Sequence, residues 1–336
     1  MTALIKSEPT RKIDLAAWPL LSFNIFAVLV AGRDAMTHKL LVESVDPLVM
    51  LFIFCATTTA VALIFNVARR GGSALRHAID PEKGLIKSVA GLGIYTWLTF
   101  LACIFGIRAV GATIFSVVEH SLMPISTVIL ASRLLKESFP TNMKIGLAIC
   151  TASVVVFLMA SNDVASVASR QELWIGGILL AVLGSVLTSF TSVYQKRLIA
   201  KSYTPDEVLF FRFALPTVFM ALLLPMADTS NLTAIVVLKL VFLGLFGFAL
   251  PLVFLCFGFM KASLARFSAY IILIPAYTFI LGPIFVAGEI QKLLHPGVAF
   301  GIVGILVGYI VFEWAAFRPI LRLQLVKKSL QSKEAI

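Results

Sequence analysis

The chain has 336 residues, of which 60% are hydrophobic and only 13% are charged, and its formal net charge is +11. Its mean hydropathy is +0.99. Because a water-soluble domain of this length would be about 25% charged, the composition excludes a soluble globular fold and predicts a chain that lies largely in lipid.

Ten apolar runs follow one another along the chain. Eight carry no charge, the fourth is interrupted by Glu119 and His120, and the seventh by Arg212. Each is close to the ~20 residues that a helix needs to cross the hydrocarbon core, and in lipid only a helix satisfies the backbone of such a run. We therefore predict an all-α integral membrane protein with ten transmembrane helices, over residues 15–32, 47–68, 88–107, 109–132, 145–162, 173–195, 208–227, 240–260, 267–288 and 293–312.

The basic residues concentrate on one side of these spans. With the N-terminus in the cytoplasm, 21 of the 28 Lys and Arg residues fall in cytoplasmic segments, whereas the opposite side has five, namely Arg33, Lys39, Arg108, Arg170 and Lys292. This bias predicts a multi-pass protein, in a bacterial inner membrane, with both termini cytoplasmic. The positive charge is spread over six short segments, so it indicates topology and attraction to an anionic lipid bilayer and not nucleic-acid binding.

The second half of the chain repeats the first. Residues of the fourth and fifth spans recur 151 or 152 positions later, in the pairs Phe115-Ser116 and Phe267-Ser268, Pro124 and Pro275, Glu137 and Glu289, and Gly146 and Gly297. Five spans per half is an odd number, so the second half enters the membrane from the opposite side, as in the inverted repeats of secondary transporters. The predicted organisation is a cytoplasmic tail (1–13), a first five-helix repeat (14–160), a connecting loop (161–172), a second five-helix repeat (173–317) and a basic tail (318–336).

The paired motifs, a proline followed by Lys-Glu (Pro124, Glu137) and a proline followed by Gly-Glu (Pro275, Glu289), resemble the drug/metabolite transporter superfamily, most closely its EamA-like branch. SVYQKRL at 192–198 is similar to the sugar-phosphate and nucleotide-sugar branch, but that branch's lysine-bearing ninth span has no counterpart in SAYIILIPAYTFILGP. The resemblance implies a central cavity lined by spans 1–4 and 6–9, with the fifth and tenth at the periphery. It also implies exchange or proton-coupled movement of small metabolites.

Glu119 and His120 are the leading candidates for a substrate site. Glu119 lies roughly 10 Å into its span, where a carboxylate is unfavourable unless it faces protein or water. The repeat places Tyr270 opposite Glu119, and Tyr277 shares a face with Tyr270 and Arg266. We predict that Glu119, His120, Tyr270 and Tyr277 face one cavity. The alternative is a buried hydrogen-bonded pair that only fixes helix packing.

Each of the other candidate site residues could instead have a purely structural role. Gln195 ends a polar stripe of Ser185, Thr188 and Ser192 that can line the cavity or join helices, and Asn24 can do either. Tyr95 and Trp97 can stack on a ring or a cation or simply pack. For Arg212, snorkelling to the cytoplasmic surface is the favoured interpretation; facing the cavity, it would favour an anionic substrate group.

The tenth span carries two GxxxG spacings, formed by glycines 297, 301, 304 and 308. Such a face is typical of close helix packing and is compatible with a homodimer through the tenth helix. Prolines 216, 251, 275 and 283 lie inside spans and should kink them.

These patterns favour a secondary-active transporter, exporting amino acids or related polar organic solutes by alternating access. The alternatives are an exchanger of phosphorylated or nucleotide-linked solutes and a membrane enzyme that uses Glu119 and His120 as an acid–base pair. HExxH, GxSxG and phosphate-binding motifs do not occur, and the cysteines at 55, 103, 150 and 256 lie singly in different spans. We therefore predict no enzyme activity, no metal and no cofactor, and a small-molecule substrate whose transport is driven by a gradient or by exchange.

Overall fold

The computed structural model describes residues 18–71, 86–136, 139, 141–165, 171–286 and 296–312. The predicted tails and the motif residues Glu137 and Glu289 lie outside these ranges. The described residues form helices and no strands: α1 (Trp18–Val42), α2 (Pro47–Arg70), α3 (Ile86–Val110), α4 (Ala112–Leu134), α5 (Thr141–Ala165), α6 (Gln171–Ala200), α7 (Pro205–Leu223), α8 (Ala234–Lys261), α9 (Leu264–Ile271), α10 (Ile274–Phe285) and α11 (Pro296–Phe312).

Helices α2 to α8 are each long and apolar enough to cross a membrane, and α10 and α11 are shorter apolar helices. The prediction of an all-helical membrane protein is therefore confirmed in the described residues. The count of ten spans stays a prediction, because the predicted ninth span is formed by two helices, α9 and α10.

The first helix is longer than predicted. α1 ends at Val42 and not at Gly32, so the predicted end of the first span is wrong and Arg33 and Asp34 lie within the helix. Arg33 donates from Nη2 and Nε to Asp34 Oδ1, at 2.6 and 2.9 Å. This forked pair balances the two charges, which is why the helix continues through them.

Two prolines explain where the helical ladder is interrupted. The predicted span 267–288 divides at Ile272 and Leu273 because Pro275, in the first turn of α10, has no N–H to donate to a preceding turn. Within α8, the residues Gly244–Ala249 are π-helical and are separated from Pro251 by Leu250 alone. A π-helical segment of this kind accommodates a missing donor without ending the helix.

The turns before α2 and α7 have matching geometry. Ser44 and Ser202 have φ values of 61° and 66°, in the left-handed region that non-glycine residues seldom adopt. In both turns the next residue donates its N–H to the carbonyl five positions earlier, at 3.1 and 3.2 Å. Both also lead through an N-cap residue, Asp46 or Thr204, into a helix that starts with proline. The backbone thus repeats itself at these two turns, together with the S-x-x-P pattern of Ser44 and Pro47 and of Ser202 and Pro205.

Helices α2 and α7 pack antiparallel. Arg69 Nη1 lies 3.5 Å from Asp206 Oδ1, which joins the end of α2 to the start of α7. Midway, the Thr59 and Thr217 hydroxyls are 2.8 Å apart. The two matching turns therefore lie at opposite ends of the protein, as an inverted repeat requires.

The two halves interleave. α3 and α4 pack on α6 of the second half, and α1 of the first half packs on α8 and α10 in the equivalent way. At the periphery the glycine face of α11 meets α5: a Cβ added to Gly146 would lie 2.7 Å from the Gly308 carbonyl oxygen, and one added to Gly301 would lie 2.7 Å from Phe157 Cβ. The close-packing prediction is confirmed, with α5 as the partner. A homodimer through α11 stays a prediction and needs another face, where Phe300, Val303, Val307 and Ile310 are exposed.

Candidate functional site: a charged central cavity

A cavity of about 60 Å³ lies between the two halves, with room for about four water molecules. Residues from α1 to α4 and from α6 to α10 line it, and none from α5 or α11. This is the arrangement that the family resemblance implies. Most of the wall is apolar, with a few polar groups pointing inward, as is usual for small-molecule sites.

Glu119 on α4 lines the cavity and is only 2% exposed. Its Oε1 accepts hydrogen bonds from Thr188 Oγ1 at 2.9 Å and from Cys103 Sγ at 3.4 Å. Among the described residues its Oε2 has no hydrogen-bond partner, and it lies 3.8 Å from His120 Nε2. One oxygen therefore fixes the side chain, and the other stays available.

His120 also lines the cavity and is held from its own helix. Its Nδ1 lies 3.2 Å from Ser116 Oγ and 3.1 Å from the Ser116 carbonyl oxygen. The Ser116 hydroxyl in turn lies 3.1 Å from Thr278 Oγ1 on α10. This network orients the ring so that Nε2 faces Glu119, and it joins α4 to the second half of the chain.

Arg33 and Asp34 are site residues that the sequence analysis missed, because it ended the first span at Gly32. Both line the cavity, and Arg33 also lies over the Phe248 ring, 4.9 Å from its centroid. Asp34 is 2% exposed, and its Oδ2 has no hydrogen-bond partner in the described part of the chain. The apolar residues Met36 and Leu40, at helical spacing beyond the pair, were the signal that could have extended the helix.

Arg212 on α7 is 6% exposed and lines the cavity, so the favoured interpretation, snorkelling to the surface, is corrected. Its Nη1 donates to Gln195 Oε1 at 2.5 Å, and Gln195 Nε2 donates to Cys256 Sγ at 3.1 Å. These bonds hold the guanidinium inside. Arg212 Nε has no hydrogen-bond partner among the described residues.

The remaining predicted site residues lie outside the cavity wall. Tyr270 packs against Phe23 and Tyr309, with ring centroids 5.5 and 6.3 Å away, and the structure does not bring it to Glu119. Tyr277 donates to Asn24 Oδ1 at 3.4 Å.

The two aromatic candidates on α3 also pack between helices. Tyr95 stacks on Phe190, with centroids 4.7 Å apart, and Trp97 Nε1 donates to Met220 Sδ at 3.3 Å. The cavity therefore unites Glu119, His120 and Arg212 from the predicted set, with Gln195 as the support of Arg212. The Arg266 side chain is outside the described part.

Comparison with protein families matches residues 18–159 and 175–310 to the EamA-like transporter family. The chain belongs to the EamA-like transporter family. Among solved structures 28 chains match; one, titled "Crystal structure of protein", has a TM-score of 0.65 and 18% identity over 90% of this chain and 98% of that one. At such low identity the likeness shows the fold alone. No curated protein matches the chain.

In this EamA-like transporter, the cavity contains charges of both signs. Four polar atoms of its lining residues are buried without a hydrogen-bond partner in the described residues, namely Asp34 Oδ2, Thr99 Oγ1, Glu119 Oε2 and Arg212 Nε. Leaving such an atom unpaired costs about 1–3 kcal/mol, and native structures seldom leave them so. The arrangement can therefore bind water or the polar groups of a solute.

Proposed function

We propose that this chain is a secondary-active carrier that moves a small polar organic solute through the central cavity by alternating access. The observation that carries the proposal is that helices of both repeats enclose one cavity with buried ionisable groups. Ionisable groups at membrane depth are unfavourable and mark substrate or ion pathways, and inverted repeats place such sites at their interface. The described cavity has room for only about four waters, so a solute enters when the helices move apart.

The finer features of the proposal come from the sequence. They are ten spans in two inverted fives, both termini in the cytoplasm of a bacterial inner membrane, and export of amino acids or related solutes. Coupling to a proton or to a counter-substrate supplies the energy. Glu119 supports proton coupling, because a titratable carboxylate at the solute path lets proton and solute stabilise one conformation jointly or in competition.

An exchanger of phosphorylated or nucleotide-linked solutes is the second candidate. The buried Arg212 supports it, since guanidinium groups bind phosphate well. The carboxylates of Asp34 and Glu119 line the same cavity and would repel a dianion, so we rank this candidate lower. Family membership favours transport over a membrane enzyme.

Counterflow in proteoliposomes tests the carrier proposal. Vesicles loaded with an unlabelled amino-acid mixture should take up the labelled mixture without ATP, and protein-free vesicles should not. Filling the cavity with Ser192→Phe should abolish uptake, whereas Leu183→Phe, on the exposed side of the same helix, should leave it intact. Absence of counterflow, or an absolute requirement for ATP, would contradict the proposal.

A further inference from the structure

We propose that the cavity binds an extended amino carboxylate, with the carboxylate of the solute on Arg212 and its ammonium group at Glu119. This inference rests on the proposed function, because it names the class of solute that the carrier takes.

Arg212 forms the pole for an anion. Within the described residues its one hydrogen bond is to the neutral amide of Gln195, and no carboxylate there lies within ion-pair distance of it. The buried Nε points to no protein acceptor in that part of the chain. A guanidinium binds a carboxylate through two parallel N–H groups, so a carboxylate that reaches Nε and a terminal nitrogen would satisfy both the charge and the unpaired donor.

Glu119 forms the pole for a cation. Arg33 already neutralises Asp34 through its forked pair, whereas Glu119 has no Lys or Arg within ion-pair distance in the described residues, and its neighbour is the imidazole of His120, at 3.8 Å. When ionised, the unpaired Oε2 of Glu119 and Oδ2 of Asp34 can accept hydrogen bonds but cannot donate them. An ammonium group carries three donors and no acceptor, and it therefore complements these oxygens.

The two poles lie at different depths. Arg197 Nη2 donates to the Leu134 carbonyl oxygen at 3.1 Å, which places the end of α4 beside the end of α6 and hence beside the start of α7. At 1.5 Å per residue, Arg212 lies about 10 Å from the start of α7, and Glu119 lies about 22 Å from the end of α4. Both distances are measured into the membrane from the same level. The separation of roughly 12 Å along the helix axes, shortened by the two side chains, suits charges at opposite ends of an extended molecule. It does not suit the adjacent charges of glycine.

The three other charge types fit less well. A dianion would satisfy Arg212 but meet the uncompensated carboxylate of Glu119, and a dication would satisfy Glu119 but leave Arg212 unpaired. A short zwitterion reaches one pole at a time. An amino carboxylate with several methylene groups between its charges satisfies both poles and leaves the cavity neutral, which matters because an unpaired buried charge is strongly unfavourable.

Binding to the full-length protein in lipid nanodiscs tests this with four probes: 5-aminopentanoate, glutarate, 1,5-diaminopentane and glycine. We expect 5-aminopentanoate to bind at least tenfold more tightly than the other three. Arg212→Gln should weaken binding of 5-aminopentanoate at least tenfold without weakening binding of 1,5-diaminopentane. Arg212→Lys, which keeps the charge but loses the fork, should fall between, and the exposed Arg69→Gln should match the original protein.

Equal binding of glycine and 5-aminopentanoate, unchanged binding in Arg212→Gln, or no binding of any probe would overturn the inference. Because Arg212→Lys retains a buried cation, it also serves if Arg212→Gln fails to fold, and an affinity equal to that of the original protein would then count against the forked contact. Counterflow of labelled 5-aminopentanoate in proteoliposomes separates the two proposals. Arg212-dependent binding without counterflow would leave the binding site standing and overturn the carrier.

Discussion

Glu119 combines two environments in one side chain. Oε1 is fixed by Thr188 and Cys103, while Oε2 faces the cavity without a partner among the described residues. The charged and titratable groups around it come from four helices: Arg33 and Asp34 on α1, Cys103 on α3, His120 on α4 and Arg212 on α7. A proton gained or lost at Oε2 therefore changes the charge of the cavity without breaking the contacts that hold the side chain.

At this residue we predict that Glu119→Gln folds normally and loses the pH dependence of transport. Glutamine keeps an oxygen acceptor for Thr188 and Cys103 but cannot titrate. The measurement is the rate of counterflow across pH in proteoliposomes, with thermal stability as the check on folding. Glu43→Gln is the matched control, since Glu43 pairs with Lys239 at the surface, 3.1 Å away, far from the cavity wall. A Glu119→Gln protein with unchanged pH dependence would assign the Glu119–His120 pair to helix packing.

Charged residues within apolar runs predicted which side chains line the cavity, whereas the repeat symmetry did not. Glu119 and His120 could be predicted because an ionisable side chain is unfavourable in lipid and marks a functional site. Tyr270 could not, because the offset of the repeat says which residues are equivalent and not which way they face. The position of Arg33 and Asp34 in the cavity wall could not be predicted for a different reason. Adjacent charged residues are typical of loops, and only the ion pair between these two makes them compatible with a buried helix.

At the scale of elements, the contact between α5 and α11 depends on missing side chains. A Cβ on Gly308 would meet Cys150 Sγ and lie 2.9 Å from the Gly146 carbonyl oxygen, whereas a Cβ on Gly176 of α6 would meet nothing within 4 Å. Close approach of this kind is what small residues permit between helices in membranes.

We expect Gly308→Ala to destabilise the protein by about 1–3 kcal/mol, the usual effect of overpacking. Gly176→Ala should be neutral or stabilise slightly, because alanine is the better helix former by up to about 1 kcal/mol. The comparison is made on the midpoints of thermal unfolding in detergent. Equal midpoints for the two variants would show that α5 and α11 can move apart at no cost, which would contradict a tight contact between them.

Where each helix begins and ends depends on backbone hydrogen bonding, which hydropathy does not report. Runs of apolar letters located α2 to α8, because lipid requires a continuous backbone ladder. The division between α9 and α10 and the π-helical Gly244–Ala249 depend instead on the missing N–H of Pro275 and Pro251. Packing decides whether a proline ends a helix, as before α10, or only introduces a π-helical segment, as in α8.

For the whole molecule we predict that the loop containing Ser230 is external and that Lys201 is cytoplasmic. α7 joins these two exposed positions and places them at opposite ends of the fold, and the basic residues favour the Lys201 end as cytoplasmic. An impermeant thiol reagent applied to intact cells should modify Ser230→Cys and not Lys201→Cys. The native cysteines are buried or half-buried, which keeps the background low. Labelling of Lys201→Cys alone would reverse the topology.

The forked pair of Arg33 and Asp34 also bears on how the protein is made. α1 contacts helices that are synthesised much later; Asn24 and Tyr277, for example, are 253 residues apart. At about 5–20 residues per second, α1 waits in the bilayer on the order of 10–50 s for those neighbours. Because Asp34 is next to Arg33 in the chain, the charge is compensated as soon as that turn forms. The helix can thus enter the bilayer before any other part of the cavity exists.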